Sequence, residues 1–188
     1  MIQTHPFGCF APPGATSLLL GSFTAKEAFD PPKRDSYVWF YATPRNQFWP
    51  ILREVYGVPL QTREEMQELF AALGMAIADI IRECERRVGS SLDANLTNIV
   101  YATEEITQVL EDRPITMIYF TSRWVEARFR EVFKDVINRH PAIELVALPS
   151  PSPRYARMSR AQKVSRYREL LPRLAADEEK TPTLQLAR

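Results

Sequence analysis

The chain has 188 residues, 45% of them apolar and 25% charged. These are ordinary globular values, with enough length for a sizeable core, and wholesale disorder is not expected. Net charge is only +1, yet seven basic residues fall between Arg154 and Arg173 against Glu169 alone, so that segment carries +6 and the remainder −5. The two cysteines, Cys9 and Cys84, show no CxxC spacing and no His/Cys cluster. That excludes a thiolate-held zinc or iron–sulfur centre and implies no disulfide framework. There is no signal-peptide pattern and no apolar run of spanning length, so a cytoplasmic protein with no membrane partner is expected.

Residues 1–16 (MIQTHPFGCFAPPGAT) are rich in Pro and Gly and read as an extended arm, with His5 a surface or turn residue. The apolar run at 17–23 (SLLLGSF) suits a buried parallel strand. A long segment, AKEAFDPPKRDSYVWFYATPRN, follows without a clear period, and loops of that length in compact domains usually carry function. Residues 47–56 read as a helix stopped by Gly57, and Thr62 to Glu65 is a capping box opening a helix that ends near Gly74. Residues 75–81 (MAIADII) permit helix or strand; their β-branched content favours a strand, with Asp79 near its end. Residues 82–100 receive no assignment.

A helix is expected over 103–112, a strand over 115–121 (ITMIYFT) and a single amphipathic helix over 122–139, broken by His140-Pro141. Residues 143–148 (IELVAL) form a further strand, 149–158 a proline-stiffened loop, and 159–174 a basic helix with a second capping box, Ser159 to Gln162. The tail from Ala175 is expected to be loose. Without internal repeats, the chain reads as one domain.

Strands separated by helices indicate an α/β fold, a parallel sheet covered on both faces. Ligands of such sheets bind outside the carboxyl ends of the strands. Those ends deliver Gly21-Ser22, Thr121-Ser122 and Pro149-Ser150, so both unusual loops start from one edge. The basic segment is either a phosphate-facing surface or a solvated helix face.

Three stretches carry a resemblance: Leu-Leu-Leu-Gly-Ser at 18–22, Phe40-Tyr41-Ala42-Thr43-Pro44-Arg45-Asn46-Gln47-Phe48-Trp49-Pro50, and Leu148-Pro149-Ser150-Pro151-Ser152-Pro153-Arg154-Tyr155-Ala156-Arg157-Met158-Ser159. In this order they resemble the uracil-DNA glycosylase superfamily, closest to its hypoxanthine-DNA and mismatch-specific glycosylase branch, over residues 17–160. The resemblance implies a three-layer α/β/α sandwich on a four-stranded parallel sheet. It also implies excision of a flipped, deaminated or mismatched base from DNA, by a monomer, with no cofactor and no metal. Breaking the sugar–base bond builds positive charge on the sugar and negative charge on the base, so the site must hold the base, meet the anion and place a water.

The family's first motif often carries a catalytic Asp or Asn after the strand; Phe23 stands there, followed by Thr24 where a Pro is usual. The hypoxanthine-type branch relies instead on the Asn of its Pro-Arg-Asn stretch, which falls on Asn46. That implies a catalytic role for Asn46, although Asn before a helix is also a favoured N-cap. Gly21, Ser22, Phe23 and Tyr41 would meet the base, Tyr41 by stacking. Thr43 replaces a His common in relatives, and Phe48 and Trp49 read as core anchors. In the second motif Ser150 and Ser152 would bind flanking phosphates, Arg154 or Tyr155 would fill the gap left in the base stack, and Arg157, Arg160 and Lys163 would contact phosphate.

Two other readings stay open. Phe23, Thr24 and Thr43 would suit a DNA-binding protein of the same fold without activity. An unrelated nucleotide-binding α/β protein would take mononucleotides and little duplex DNA. Cys84 has no activating partner, and His140 reads as a turn residue.

Overall fold

The computed structural model describes residues 1–34, 36–86 and 95–174. In chain order the strands are β1 (Ile2–Thr4), β2 (Ser17–Gly21), β3 (Met75–Asp79), β4 (Ile81–Arg86), β5 (Leu96–Tyr101), β6 (Met117–Phe120) and β7 (Glu144–Ala147). The helices are α1 (Pro31–Arg34), α2 (Phe48–Tyr56), α3 (Arg63–Ala72), α4 (Thr103–Asp112), α5 (Arg123–Val132), α6 (Lys134–Arg139) and α7 (Arg160–Leu170). Strands β3-β2-β6-β7, in that order, make an all-parallel four-stranded sheet.

Side chains alternate across this sheet because the strand period is two. Leu18, Leu20, Ala78, Ile118 and Phe120 enter a core shared with α4 and α5, while Leu19, Ile77 and Tyr119 enter one shared with α2, α3 and α7. Leu18, Leu19 and Leu20 are each 0% exposed, and burial of each such side chain contributes about 2 kcal/mol. The three-layer α/β/α architecture expected from the sequence is the one observed. Both capping boxes form: Thr62 Oγ1 accepts from Glu65 N–H at 3.2 Å and Ser159 Oγ from Gln162 N–H at 3.3 Å. Helix α2 closes on Gly57 at φ 68°, as a glycine stop requires.

Three features depart from the sequence reading. A second, antiparallel sheet, β1-β4-β5, forms from the arm and from the unassigned stretch after 81. The arm is further tied at Phe10, which exchanges both backbone hydrogen bonds with Ile77 on the edge strand β3. Finally, the helix expected over 122–139 divides at Phe133, which leaves helical geometry at ψ 25° while its ring, 2% exposed, stacks on Phe129 in the core. The tail expected to be loose, residues 175–188, lies outside the described residues.

Candidate active site

The carboxyl ends of β2, β3 and β6 open into a cleft. The strand ends contribute Ser22, Phe23, Thr24, Asp79, Thr121 and Ser122; the long aromatic segment contributes Tyr37, Tyr41, Thr43 and Asn46; the proline loop contributes Ser150, Pro151 and Ser152. Arg86 of β4 completes the wall.

The floor is built around Gly21. A Cβ added there would lie 2.0 Å from Tyr41 Oη and 2.1 Å from Asp79 Oδ1, so only glycine lets both oxygens approach the strand. Asp79 and His5 form a buried pair: His5 Nε2 is 2.8 Å from Asp79 Oδ2, and both side chains are 5% exposed. His5 Nδ1 sits 2.5 Å from Phe7 O, and the ring lies 5.4 Å from that of Phe40 in a stacked arrangement. Burial by itself would lower the His5 pKa, but the hydrogen bond and charge of Asp79 outweigh it and hold the imidazole above its ordinary value. Asp79 Oδ1 is buried and has no hydrogen-bond partner among the described residues. A buried carboxylate oxygen left unpaired is costly, and this one belongs to a residue lining the cleft.

Tyr41 adopts φ 58°, a conformation disfavoured for a non-glycine residue and typical of functional sites. Its ring packs 4.4 Å from Phe48, and its hydroxyl donates to Thr121 Oγ1 at 3.3 Å. Burial, then the Asp79 charge, push the Tyr41 pKa well above the usual phenol value, and burial takes Tyr37 to about 12. Both phenols are therefore neutral hydroxyls at physiological pH. Asn46 Oδ1 accepts from Phe48 N–H at 2.9 Å, which fixes the amide plane while the residue lines the cleft. The N-cap of α2 is Gln47 rather than Asn46, so Asn46 meets the first helical N–H from one residue before the cap. Trp49 donates from Nε1 to Phe40 O at 2.7 Å, and Phe48 and Trp49 are buried anchors of α2. Phe23 packs among the rings of His5 and Phe29, with the Arg86 guanidinium 5.7 Å above it.

The proline loop is pinned through its carbonyls. Pro149 O accepts from Tyr167 Oη at 2.9 Å, Pro151 O from Gln47 N–H at 3.0 Å, and Ser152 O from Lys163 Nζ at 3.0 Å. Ser150 Oγ accepts from Ser152 N–H and Ser152 Oγ from Arg154 N–H, both at 3.3 Å, short local bonds that stiffen the turn. Lys163 also donates to Gln47 Oε1 at 2.9 Å. It therefore clamps the loop to the start of the aromatic segment's helix.

The structure accordingly gathers Tyr41, Asn46, Ser22, Phe23, Ser150 and Ser152 around one cleft, with Gly21 beneath it. Arg154 and Arg157 are exposed on the adjoining loop. Lys163 stands apart from the phosphate contact expected of it: it is 1% exposed, and burial lowers its pKa. Arg160 pairs with Glu54 at 2.9 Å. The sequence reading missed the His5–Asp79 pair, because the partners lie 74 residues apart, His5 in the arm just after β1 and Asp79 at the end of β3. The only signal was Asp79 at a strand end. Tyr37 and Arg86 were missed likewise.

Among the described residues no group of three or more His, Cys, Asp or Glu is placed to hold a metal, and no helix is long and apolar enough to cross a membrane. No protein-family model and no curated protein matches the chain. Among solved structures, the chain is similar to the solution NMR structure of a "putative Uracil DNA glycosylase" from Methanosarcina acetivorans. The TM-score is 0.63 at 21% identity, covering 90% of this chain and 98% of that one. The fold is thus the uracil-DNA glycosylase-like α/β/α sandwich.

Proposed function

We propose that this protein is a monofunctional DNA glycosylase of the uracil-DNA glycosylase superfamily, in its hypoxanthine and mismatch-specific branch. The observation that carries this reading is the convergence of Tyr41, Asn46, Asp79 and Ser150 on one cleft at the carboxyl edge of the parallel sheet. An extruded base enters the cleft beside Tyr41. Asp79 Oδ1, the unpaired acceptor beneath the cleft surface, takes a ring N–H of that base once the Tyr41 side chain beside it gives way. Deamination of adenine or cytosine converts a ring nitrogen from acceptor to N–H donor, so an acceptor held in place by His5 favours the damaged form over the normal one.

The bond from sugar C1′ to the base nitrogen then breaks with its electron pair leaving on the base. The backbone N–H groups at Ser22 and Phe23 meet the developing anion. A water positioned by Asn46 adds to C1′, and its released proton ends on the base. Products are the free base and an abasic site. Arg154 fills the space the base leaves, and the pinned loop limits the ordering cost of binding. The fold likeness to the archaeal structure supports the class.

A second reading, DNA binding without excision, is favoured by Phe23, whose ring occupies the place where relatives carry an acid or amide. Duplexes containing uracil, hypoxanthine, xanthine or a G:T mismatch, incubated with the protein and then treated with alkali, decide between them. Strand cleavage supports the glycosylase; tight binding with intact strands supports the second reading. Cleavage at wild-type rate by Asn46→Ala would remove Asn46 from the mechanism while leaving the class intact.

A further inference from the structure

Beyond the Ser122–Ser150 wall of the cleft lies a second groove, sharing those two serines with it. Arg123, Arg157 and Arg166 line it together with the rings of Trp124 and Tyr155, and among the described residues no acidic one does. Arg123 and Arg157 are exposed and make no ion pair among the described residues. Arg166 pairs with Glu169 on its own helix. Trp124 is half-buried at the first turn of α5, where Ser122 caps the helix by accepting from Val125 N–H at 3.3 Å. Tyr155 is held by the Lys163 ammonium, 5.4 Å from its ring centre.

Each part has a physical sense only together. Unpaired guanidiniums on a concave surface without carboxylates attract phosphate, and the partial positive charge of the α5 N-terminus adds to them. Aromatic rings beside such cations offer a platform to a base whose own face is uncovered. A base still stacked in a duplex presents no such face. The position of the groove, one serine wall from the cleft, matches a strand that continues from one into the other.

We propose that this groove is a second nucleotide subsite. It holds the nucleotide next to the extruded one in an unstacked state, with phosphate on Arg123 and Arg157 and the base against Trp124 and Tyr155. The assignment rests on the glycosylase reading for its neighbour but not for its own ligand. The substrate strand is then gripped over two nucleotides, and single-stranded DNA binds through the groove even when no base is damaged.

Intrinsic fluorescence tests this directly. Trp39 and Trp49 are 1% and 4% exposed, so Trp124 is the tryptophan that a ligand in solution can quench. Undamaged oligothymidylate titrated into the full chain should quench emission, whereas thymidine monophosphate at the same nucleotide concentration should not. Binding of a fluorescein-labelled oligothymidylate, followed by anisotropy, should weaken about tenfold or more in Arg123→Ala/Arg157→Ala and in Trp124→Ala. Trp124 also touches the core, so the surface arginine pair keeps the test independent of folding. Absence of quenching, unchanged anisotropy in the arginine variant, or equal affinity for the mononucleotide would each overturn the subsite. Base excision without these effects would leave the glycosylase reading standing alone. Quenching and arginine-dependent binding without excision of any base would leave the subsite standing and remove the enzyme.

Discussion

The cleft and the adjoining groove share two serines yet differ in nearly every physical respect. In the cleft the charged groups are buried and matched: His5 with Asp79, and Lys163 behind the wall with Gln47 and Ser152. In the groove the arginines stand in solvent, and two of them have no ion-pair partner among the described residues. A buried, fixed polar group discriminates between ligands because leaving it unpaired is costly, whereas an exposed cation attracts any phosphate and is weakened by salt. On the proposed reading the two regions divide the labour: the cleft would select the base and the groove would hold the strand.

Substitutions should break that contrast unequally. The largest effect is expected in the cleft. Asp79→Asn keeps the shape but replaces half of the acceptor with a donor. It should lower excision by about a hundredfold or more, read as kcat/KM with damaged duplex, with Asn46→Ala falling in the same range. Gly21→Ala should abolish measurable excision as well, because its methyl group collides with Tyr41 Oη and Asp79 Oδ1.

Next in size is the clamp. Lys163→Met leaves Ser152 O and Gln47 Oε1 without their donor and should cost about 1–3 kcal/mol in urea unfolding. Substitution of a solvated lysine would cost almost nothing, so the unfolding midpoint settles whether Lys163 acts inside the protein. His5→Gln should give a pH-dependent loss. The folded-state pKa of His5 is raised above its ordinary 6.5, so its contribution is fully present below about pH 6.5 and disappears as pH rises through the elevated folded value. The stability gap between wild type and variant should therefore be widest at acid pH and narrow toward alkaline pH. A gap independent of pH would show that the imidazole acts by packing alone.

The smallest effect belongs to the groove. Arg157→Ala should reduce the dependence of log affinity on log salt by about 0.7 for single-stranded DNA, with little change in folding stability.

The parallel sheet was legible in the sequence because β2 and β3 are apolar runs buried on both faces, and a run such as Leu18-Leu19-Leu20 has few other homes. The small antiparallel sheet was not. Strand β4, Ile-Arg-Glu-Cys-Glu-Arg, buries Ile81 and Cys84 while exposing Arg82, so its pattern carries more charge than period. Its register depends on β1 and β5, distant partners that no local window contains. The division of the α5–α6 segment was equally hidden, since helical periodicity continues through Phe133 and only the core draws that ring out of line.

The same distinction holds at the site. Local chemistry singled out Asn46 beside a helix start, the stiff proline loop and the glycine at the strand end, because caps, turns and close approaches are written in neighbouring residues. Whether a charge faces inward or outward is not written there. Lys163 and Arg157 look alike in a basic stretch, yet α7 packing on α2 buries the first and leaves the second exposed. His5 came to lie behind the cleft-lining Asp79 only when the arm added a strand to β4 and brought its imidazole there. Sequence sets which groups are present and how each segment bends; long-range packing decides which groups lose water, and with it which of them can discriminate.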